Sequence, residues 1–213
     1  MGGFLRRSKG WEQHFEKGVQ HGTAANFPRA EASFREAVRL APAEPYPHYE
    51  LGYTLSLMGR HEEALEEFRC TERLAGPFFV VETEIYVCEQ LLSGSIDVEV
   101  AEMLRSLQAI VDSGGAQGEE AVALSREVTE LAPDCALGHF HLGKALFEPD
   151  PDGAEQALRR CIELGPDNTT AINAKWHLGA LRERAGDGDE ARRIWDAMAS
   201  DHAGHPLMAL ARR

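Results

Sequence analysis

Between Trp11 and Arg69 the apolar and small residues fall into a pattern that repeats every 34 positions: Gly18 is matched by Gly52, Ala30 by Ala64 and Phe34 by Phe68. A period of this length marks stacked supersecondary units, none of which can bury its apolar face alone. The punctuation agrees with helices. Pro42 ends a helix after Leu40, Pro45-Tyr46-Pro47 opens the next with a preset backbone angle, and Gly59 serves the turn between paired helices. Residues 11–44 and 45–78 thus read as two helix-turn-helix units aligned without a gap. Gly18 and Gly52 lack a side chain where two helices must approach closely, Ala30 and Ala64 answer from the facing helix, and Phe34 and Phe68 fill the wedge that opens further along.

The glycine pattern returns late in the sequence. Leu142-Gly143 and Leu146 are followed by Ala154, Leu158, Cys161 and Pro166, and Leu178-Gly179 by Ala191, Trp195 and Met198. These glycines stand 36 apart. The added length falls in the loop from Pro166 to Thr170, where it is cheap, and the Glu148–Gly153 turn is one residue shorter. Four recognisable units result. Between the two blocks the pattern decays: Phe79–Leu92 and Asp97–Val111 read as helices split by Ser93-Gly94-Ser95, with Tyr86 where a glycine is expected. Glu119–Leu131 reads as the closing half of a unit whose opening half overlaps the helix holding Met103 and Leu107. A short capping helix is predicted at 205–213, because the end of a stack needs a solubilising cap. The expected organisation is a basic N-terminal arm (1–10), two units (11–78), a divergent acidic helical segment (79–133), two units (134–204) and the cap, in a single continuous solenoid domain.

The units resemble tetratricopeptide repeats, whose pattern is W-x2-L-G-x2-Y…A-x3-F…P. Leu51-Gly52, Leu55, Ala64, Leu65 and Phe68 carry the resemblance in the second unit. Gly18, Ala30, Phe34, Ala37 and Pro42 carry it in the first, where Lys17 replaces the usual Leu and His14 the usual Trp. The resemblance implies an all-α fold, an α-solenoid or right-handed superhelix of helix pairs, whose first helices line a concave groove. Carried over residue by residue, that groove presents Phe15, Val19, Tyr46, Tyr49, Glu50 and Tyr53, then Leu137, Phe140, His141, Lys144 and Phe147, then Asn173, Trp176, His177 and Arg184. Val80, Thr83, Glu84 and Val87 fall on the equivalent face of the divergent segment.

Some repeats of this family clamp a peptide's terminal carboxylate with Lys, Asn and Arg. The matching positions here carry Phe15, Val19, Tyr49 and Tyr53, which suits instead a peptide with apolar or aromatic side chains. Tyr46, Tyr49 and Tyr53 share one helix face, and tyrosines combine large contact area with a polar tip. Lys144, Lys175 and Arg184 are available to an acidic residue of such a ligand.

Charge sharpens the partner class. The chain of 213 residues has a net charge of −13, and residues 79–133 alone hold 11 acidic against 2 basic side chains. That distribution argues against nucleic acid and anionic membranes as ligands, and it leaves the acidic segment as a solvated face or a surface for a basic partner. No apolar run approaches the roughly 20 residues that span a bilayer, and no apolar stretch follows the basic first ten residues. Cys70, Cys88, Cys135 and Cys161 are scattered within apolar stretches without a C-x-x-C pair. They read as buried free thiols in a reducing compartment, so a cytoplasmic location is expected.

Chemistry is sparsely supported. His139 and His141 face different directions on a helix and cannot chelate together. His141 and His177 occupy equivalent places in consecutive units, and Asp201, His202 and His205 are too few for more than adventitious metal binding. Asp187-Gly188-Asp189-Glu190 lacks the further ligands of a calcium loop, and Asp187 or Asp189 reads better as a helix N-cap. Phosphate-binding, dinucleotide-binding, zinc-protease and serine-hydrolase motifs are absent. The expected function is non-enzymatic binding of a protein or peptide segment, without metal or cofactor. A self-assembling structural subunit is the alternative, and an enzyme using His141 and His177 a third.

Overall fold

The computed structural model describes residues 10–75, 81–165 and 169–201. Among them are eleven α-helices and no strand. The chain divides into two compact units, Met1–Ser93 and Gly94–Arg213.

In the first unit, α1 (Gly10–Thr23) packs on α2 (Phe27–Leu40) and α3 (Pro45–Leu57) on α4 (His61–Ala75), while α3 also meets α2 and α1. Proline places two of these helix starts, with Pro28 in the first turn of α2 and Pro45 in that of α3, where its missing N–H is not needed. The chain reverses between paired helices through a left-handed residue, Ala25 (φ 54°) before α2 and Gly59 (φ 76°) before α4. The core joins both pairs: Ala30, Phe34, Leu51, Leu55, Ala64 and Phe68 are buried together with Val81 and Cys88. Val81 immediately precedes α5 (Glu82–Ser93) and Cys88 lies within it, and this helix packs on α4.

The packing glycines meet larger groups than the sequence suggests. A Cβ on Gly18 would lie 2.4 Å from the Phe34 ring, and one on Gly52 would lie 3.0 Å from Phe68 and 3.2 Å from the Ala64 carbonyl oxygen. The phenylalanines therefore lie directly against the glycines rather than in a wedge beyond them. On the outer surface Arg60 bridges Glu31 and Glu63, and Arg35 reaches the same two carboxylates, tying α2 to α4.

The second unit contains three helix pairs: α6 (Val98–Asp112) with α7 (Glu119–Leu131), α8 (Ala136–Leu146) with α9 (Pro151–Leu164), and α10 (Thr169–Arg184) with α11 (Gly188–Asp201). The helix holding Met103 and Leu107 is thus the opening partner of α7. It also touches α8, and α8 touches α10, so the first helices of the three pairs lie in a row with α8 in the middle. The seam rule holds with different side chains: Gly143 faces Leu158 and Gly179 faces Trp195. Side-chain caps start three helices, Asp97 accepting from the Val100 N–H, Asp150 from Gly153 and Asp187 from Glu190. None of the four cysteines is in a disulfide; Cys88, Cys135 and Cys161 are buried and Cys70 is half-buried. Cys135 sits at the N-cap of α8 rather than within a helix. The N-terminal arm up to residue 9, Val80, the loop residues Pro166 to Asn168, His202, His205 and the capping helix at 205–213 lie outside the described residues.

Candidate functional site

Four first helices, α1, α3, α8 and α10, offer the same register around a packing glycine. Three residues before it stand Phe15, Tyr49, Phe140 and Trp176; two before it stand Glu50, His141 and His177; one after it stand Val19, Tyr53 and Lys144. The glycine side of the helix is consumed by the partner helix, so these positions turn towards the row of first helices.

In the first unit Tyr49 and Tyr53 are half-buried and stacked, with ring centroids 6.5 Å apart and planes 13° from parallel. Tyr49 also leans on the seam, 5.7 Å from Phe68. Phe15 is half-buried between Trp11 and Phe34, at 6.1 and 5.8 Å. Val19 and Tyr46 are exposed. Glu50 is half-buried, and burial raises its carboxyl above the ordinary range. These side chains form an aromatic face with one carboxyl set among the rings.

The second unit gathers a different set. Lys144 Nζ lies 5.3 Å from the centre of the Phe140 ring. Phe140 contacts the rings of both His141 and His177, at 5.8 and 5.7 Å, and Phe147 lies 6.2 Å from His177. Arg184 is exposed, stands over Phe147 at 5.9 Å and pairs with Glu148. Trp176 is half-buried against Trp195, 5.5 Å away, and Asn173 is half-buried. Burial, reinforced by Lys144, lowers His141 to about 3 and His177 to about 4, so both rings are neutral at pH 7. Burial also lowers Lys144, against an opposing pull from Asp112 on α6.

Several expected groove positions do not reach the surface. His141 is only 3% exposed, and neither of its ring nitrogens has a hydrogen-bond partner among the described residues. Phe140 and Leu137 are buried as well. The reason is position in the row: α8 is flanked by α6 and α10, and both neighbours cover it. His177, in the same register on α10, remains half-buried. In α5, Glu84 and Val87 are buried and Thr83 is half-buried, so that helix does not present the face expected of it. The spacing gives the register but not how many neighbours each helix acquires.

A buried polar site in the first unit had no sequence signal. His48 of α3 is 6% exposed, with Nδ1 2.6 Å from Glu67 Oε2 and Nε2 3.1 Å from the Pro42 carbonyl oxygen. Its hydrogen bond to Glu67 raises its pKa above the ordinary histidine value against the opposing effect of burial. This histidine ties the α2–α3 loop to α4. No group of three or more His, Cys, Asp or Glu side chains able to hold a metal occurs among the described residues, and no described helix is long and apolar enough to cross a membrane.

No family model matches the chain, and no curated protein matches its sequence. Solved structures do. It is similar to MamA residues 41 to the end from Desulfovibrio magneticus RS-1, at 16% identity over 92% of this chain and 97% of that one, with a TM-score of 0.41. A second is YrrB, described as a TPR protein with an unusual peptide-binding site, at 14% identity over 97% and 93% with a TM-score of 0.45. A third is the TPR2AB domain of yeast Sti1, in a structure described as its pHSP90 complex, at 16% identity over 96% and 83% with a TM-score of 0.46. At TM-scores below 0.5 these superpositions are loose. The tetratricopeptide-like character of the helix pairs is carried by the chain's own glycine seams and left-handed turns.

Proposed function

We propose that the protein is a non-enzymatic interaction module that binds an extended or helical protein segment on a first-helix face within one of its compact units. The observation that carries this reading is the stacked, half-buried pair Tyr49 and Tyr53 of the first unit, matched in register by the half-buried Trp176 of the second. Rings set side by side on one face offer broad apolar contact with polar edges, the composition of binding hot spots. A ligand's apolar side chains would pack on the rings of one unit, with Glu50 setting the charge preference of the first-unit face and Lys144 that of the second. A catalytic role for the histidines is less favoured by the geometry, since burial keeps His141 and His177 neutral and the Phe140 phenyl ring touches both. The reducing, cytoplasmic setting is part of the same proposal and is supported by four cysteines that form no disulfide.

The test begins with a random dodecapeptide display library selected on the full chain, followed by fluorescence anisotropy of a recovered peptide. Tyr49→Ala with Tyr53→Ala is expected to weaken binding about tenfold or more, a typical effect of removing two aromatic anchors. Because Tyr49 also touches Phe68, Tyr53→Ala alone is measured beside it, with melting temperature as the fold control. Affinity unchanged in both variants would remove the first-unit face from the binding surface.

A further inference from the structure

Cys70 differs from the other three cysteines in access and in company. Cys88, Cys135 and Cys161 are buried, and burial, with Cys135 adding to it, pushes the Cys161 thiol up to about 12. Cys70, on α4, is half-buried and so keeps contact with solvent. Its sulfur lies 3.8 Å from His48 Nε2, and His48 Nδ1 lies 2.6 Å from Glu67 Oε2. Thiol, imidazole and carboxylate thus follow one another in order, the arrangement in which a histidine held by an acid activates a neighbouring sulfur.

The fold fixes this order. Glu67 and Cys70 stand three residues apart on α4 and so share a face, and α3, packed on α4, brings His48 to both. The buried ring is held at both ends, by Glu67 at Nδ1 and by the Pro42 carbonyl oxygen 3.1 Å from Nε2. The Glu67 hydrogen bond raises its pKa above the ordinary histidine value, helped by Pro42 and opposed by burial and by the exposed Arg73 of α4. The sulfur is farther from Nε2 than the carbonyl oxygen is, so the proton stays on the ring and the sulfur feels the ring's charge. A positive ring at this range favours the thiolate, and the thiolate is the form that attacks disulfides.

We propose that Cys70 is a modification site, where a sulfur activated by the His48 imidazolium exchanges with a low-molecular-weight disulfide to form a mixed disulfide. The Cys70 thiolate attacks one sulfur of that disulfide; a bond forms between the two, and the old S–S bond breaks. The departing thiolate takes up a proton from water. Cys70 is oxidised and the departing half is reduced, so the small disulfide is the only oxidant needed. Glu67 acts as a positioning residue, through His48.

The probe is glutathione disulfide, added to the full chain, with adducts located by peptide mass spectrometry. One adduct per folded chain is expected, on Cys70, and none on folded Cys70→Ser. His48→Gln is expected to slow the reaction at pH 7 about threefold or more, the effect left when an approximately tenfold loss of thiolate is offset by the greater nucleophilicity of a more basic sulfur. The ratio of the two rates should be largest near pH 6 and shrink towards pH 9, because the ring loses its charge while an unassisted thiol ionises by itself. A merely structural loosening in His48→Gln would instead speed the reaction at every pH, and melting temperatures report the fold. The unaltered chain gives a second reading that needs no variant: between pH 6 and 8 its rate should rise by less than the roughly tenfold per pH unit of an unassisted thiol. A full tenfold rise per unit, a His48→Gln rate that is unchanged or faster, or adducts on Cys88, Cys135 or Cys161 in preference to Cys70 would overturn the assignment. So would the absence of any adduct on the folded chain.

Discussion

Ala25 and Gly59 stand one repeat length apart and share a left-handed backbone, with φ of 54° and 76°. Each follows its packing glycine, Gly18 or Gly52, by seven residues, and Gly186 holds φ 83° at the same distance after Gly179. The turn geometry is therefore a property of the repeat, and Ala25 is the one of these three positions where a side chain must tolerate it.

An L-residue in this region is strained by about 1–2 kcal/mol, and glycine escapes the strain at the expense of a more flexible unfolded chain. Ala25→Gly is expected to raise stability by roughly 0.5–1 kcal/mol, and Gly59→Ala to lower it by about 1 kcal/mol. Urea unfolding followed by circular dichroism measures both. A destabilised Ala25→Gly would mean that the turn is held by something other than backbone preference.

The seams should respond in proportion to the space behind each glycine. An added Cβ would come within 2.2 Å of Trp195 Nε1 at Gly179, 2.4 Å of the Phe34 ring at Gly18 and 2.6 Å of Leu158 at Gly143, but only 3.0 Å of Phe68 at Gly52. Overpacking of a close helix contact costs about 1–3 kcal/mol. Gly179→Ala, Gly18→Ala and Gly143→Ala are expected in that range, with Gly52→Ala near its lower end. Gly22→Ala in α1 meets nothing within 4 Å and is expected to stabilise by up to about 1 kcal/mol through helix propensity. Equal melting temperatures across the series would show that the partner helices move apart freely.

These two series also mark what the sequence could reveal. The seam glycines and the turn at Gly59 were legible because a repeated packing geometry demands the same small residue at the same interval, whereas the direct contact of Phe34 and Phe68 with those glycines was not. The pairing of α6 with α7 was blurred, since α6 lacks that glycine signal and its turn is stretched to six residues, 113–118. Site residues were legible in register but not in exposure. His141 and His177 are identical by spacing, yet α8 packs on the first helices α6 and α10 as well as on α7 and α9, and His141 is buried while His177 is half-buried. His48 was missed because its partners, Glu67 and the Pro42 carbonyl oxygen, come from another helix and a loop at no repeating interval.

His141 should be a liability for stability. Both ring nitrogens are buried without partners, a defect worth about 1–3 kcal/mol. His141→Leu, similar in size and apolar, is expected to stabilise the fold by about 1 kcal/mol at pH 7. The gain should grow in acid. The folded-state values of His141 and His177 are about 3 and about 4, below the roughly 6.5 of an unfolded chain. The stability linked to their neutral state is therefore complete above pH ~6.5 and falls as pH drops towards those folded values, where the unfolded chain takes up protons first. Melting temperatures from pH 7 to 4 should fall less steeply for His141→Leu than for the unaltered protein. An equally steep fall would place the acid sensitivity elsewhere.

His48 should tilt the same profile the other way. Its two nitrogens face two acceptors, the Glu67 carboxylate and the Pro42 carbonyl oxygen, with Cys70 Sγ 3.8 Å from Nε2. Only the doubly protonated ring donates to both oxygens at once; loss of a proton turns a nitrogen lone pair towards an oxygen. Glu67 and the Pro42 carbonyl hold the proton on, while burial and the Arg73 charge on α4 oppose it, with a net upward shift. A raised folded pKa gives stability that is fully present below the unfolded value of about 6.5 and is lost as pH rises through the folded one. His48→Gln keeps one hydrogen bond but cannot titrate. The stability difference between the unaltered protein and this variant should therefore shrink as pH is raised from 6 to 9, while the His141→Leu difference changes only on the acid side. Urea midpoints at matched ionic strength separate the two effects. A difference for His48→Gln that stays constant over that range would mean that the ring is neutral in the fold and that the contact with Pro42 is made through another tautomer or another atom.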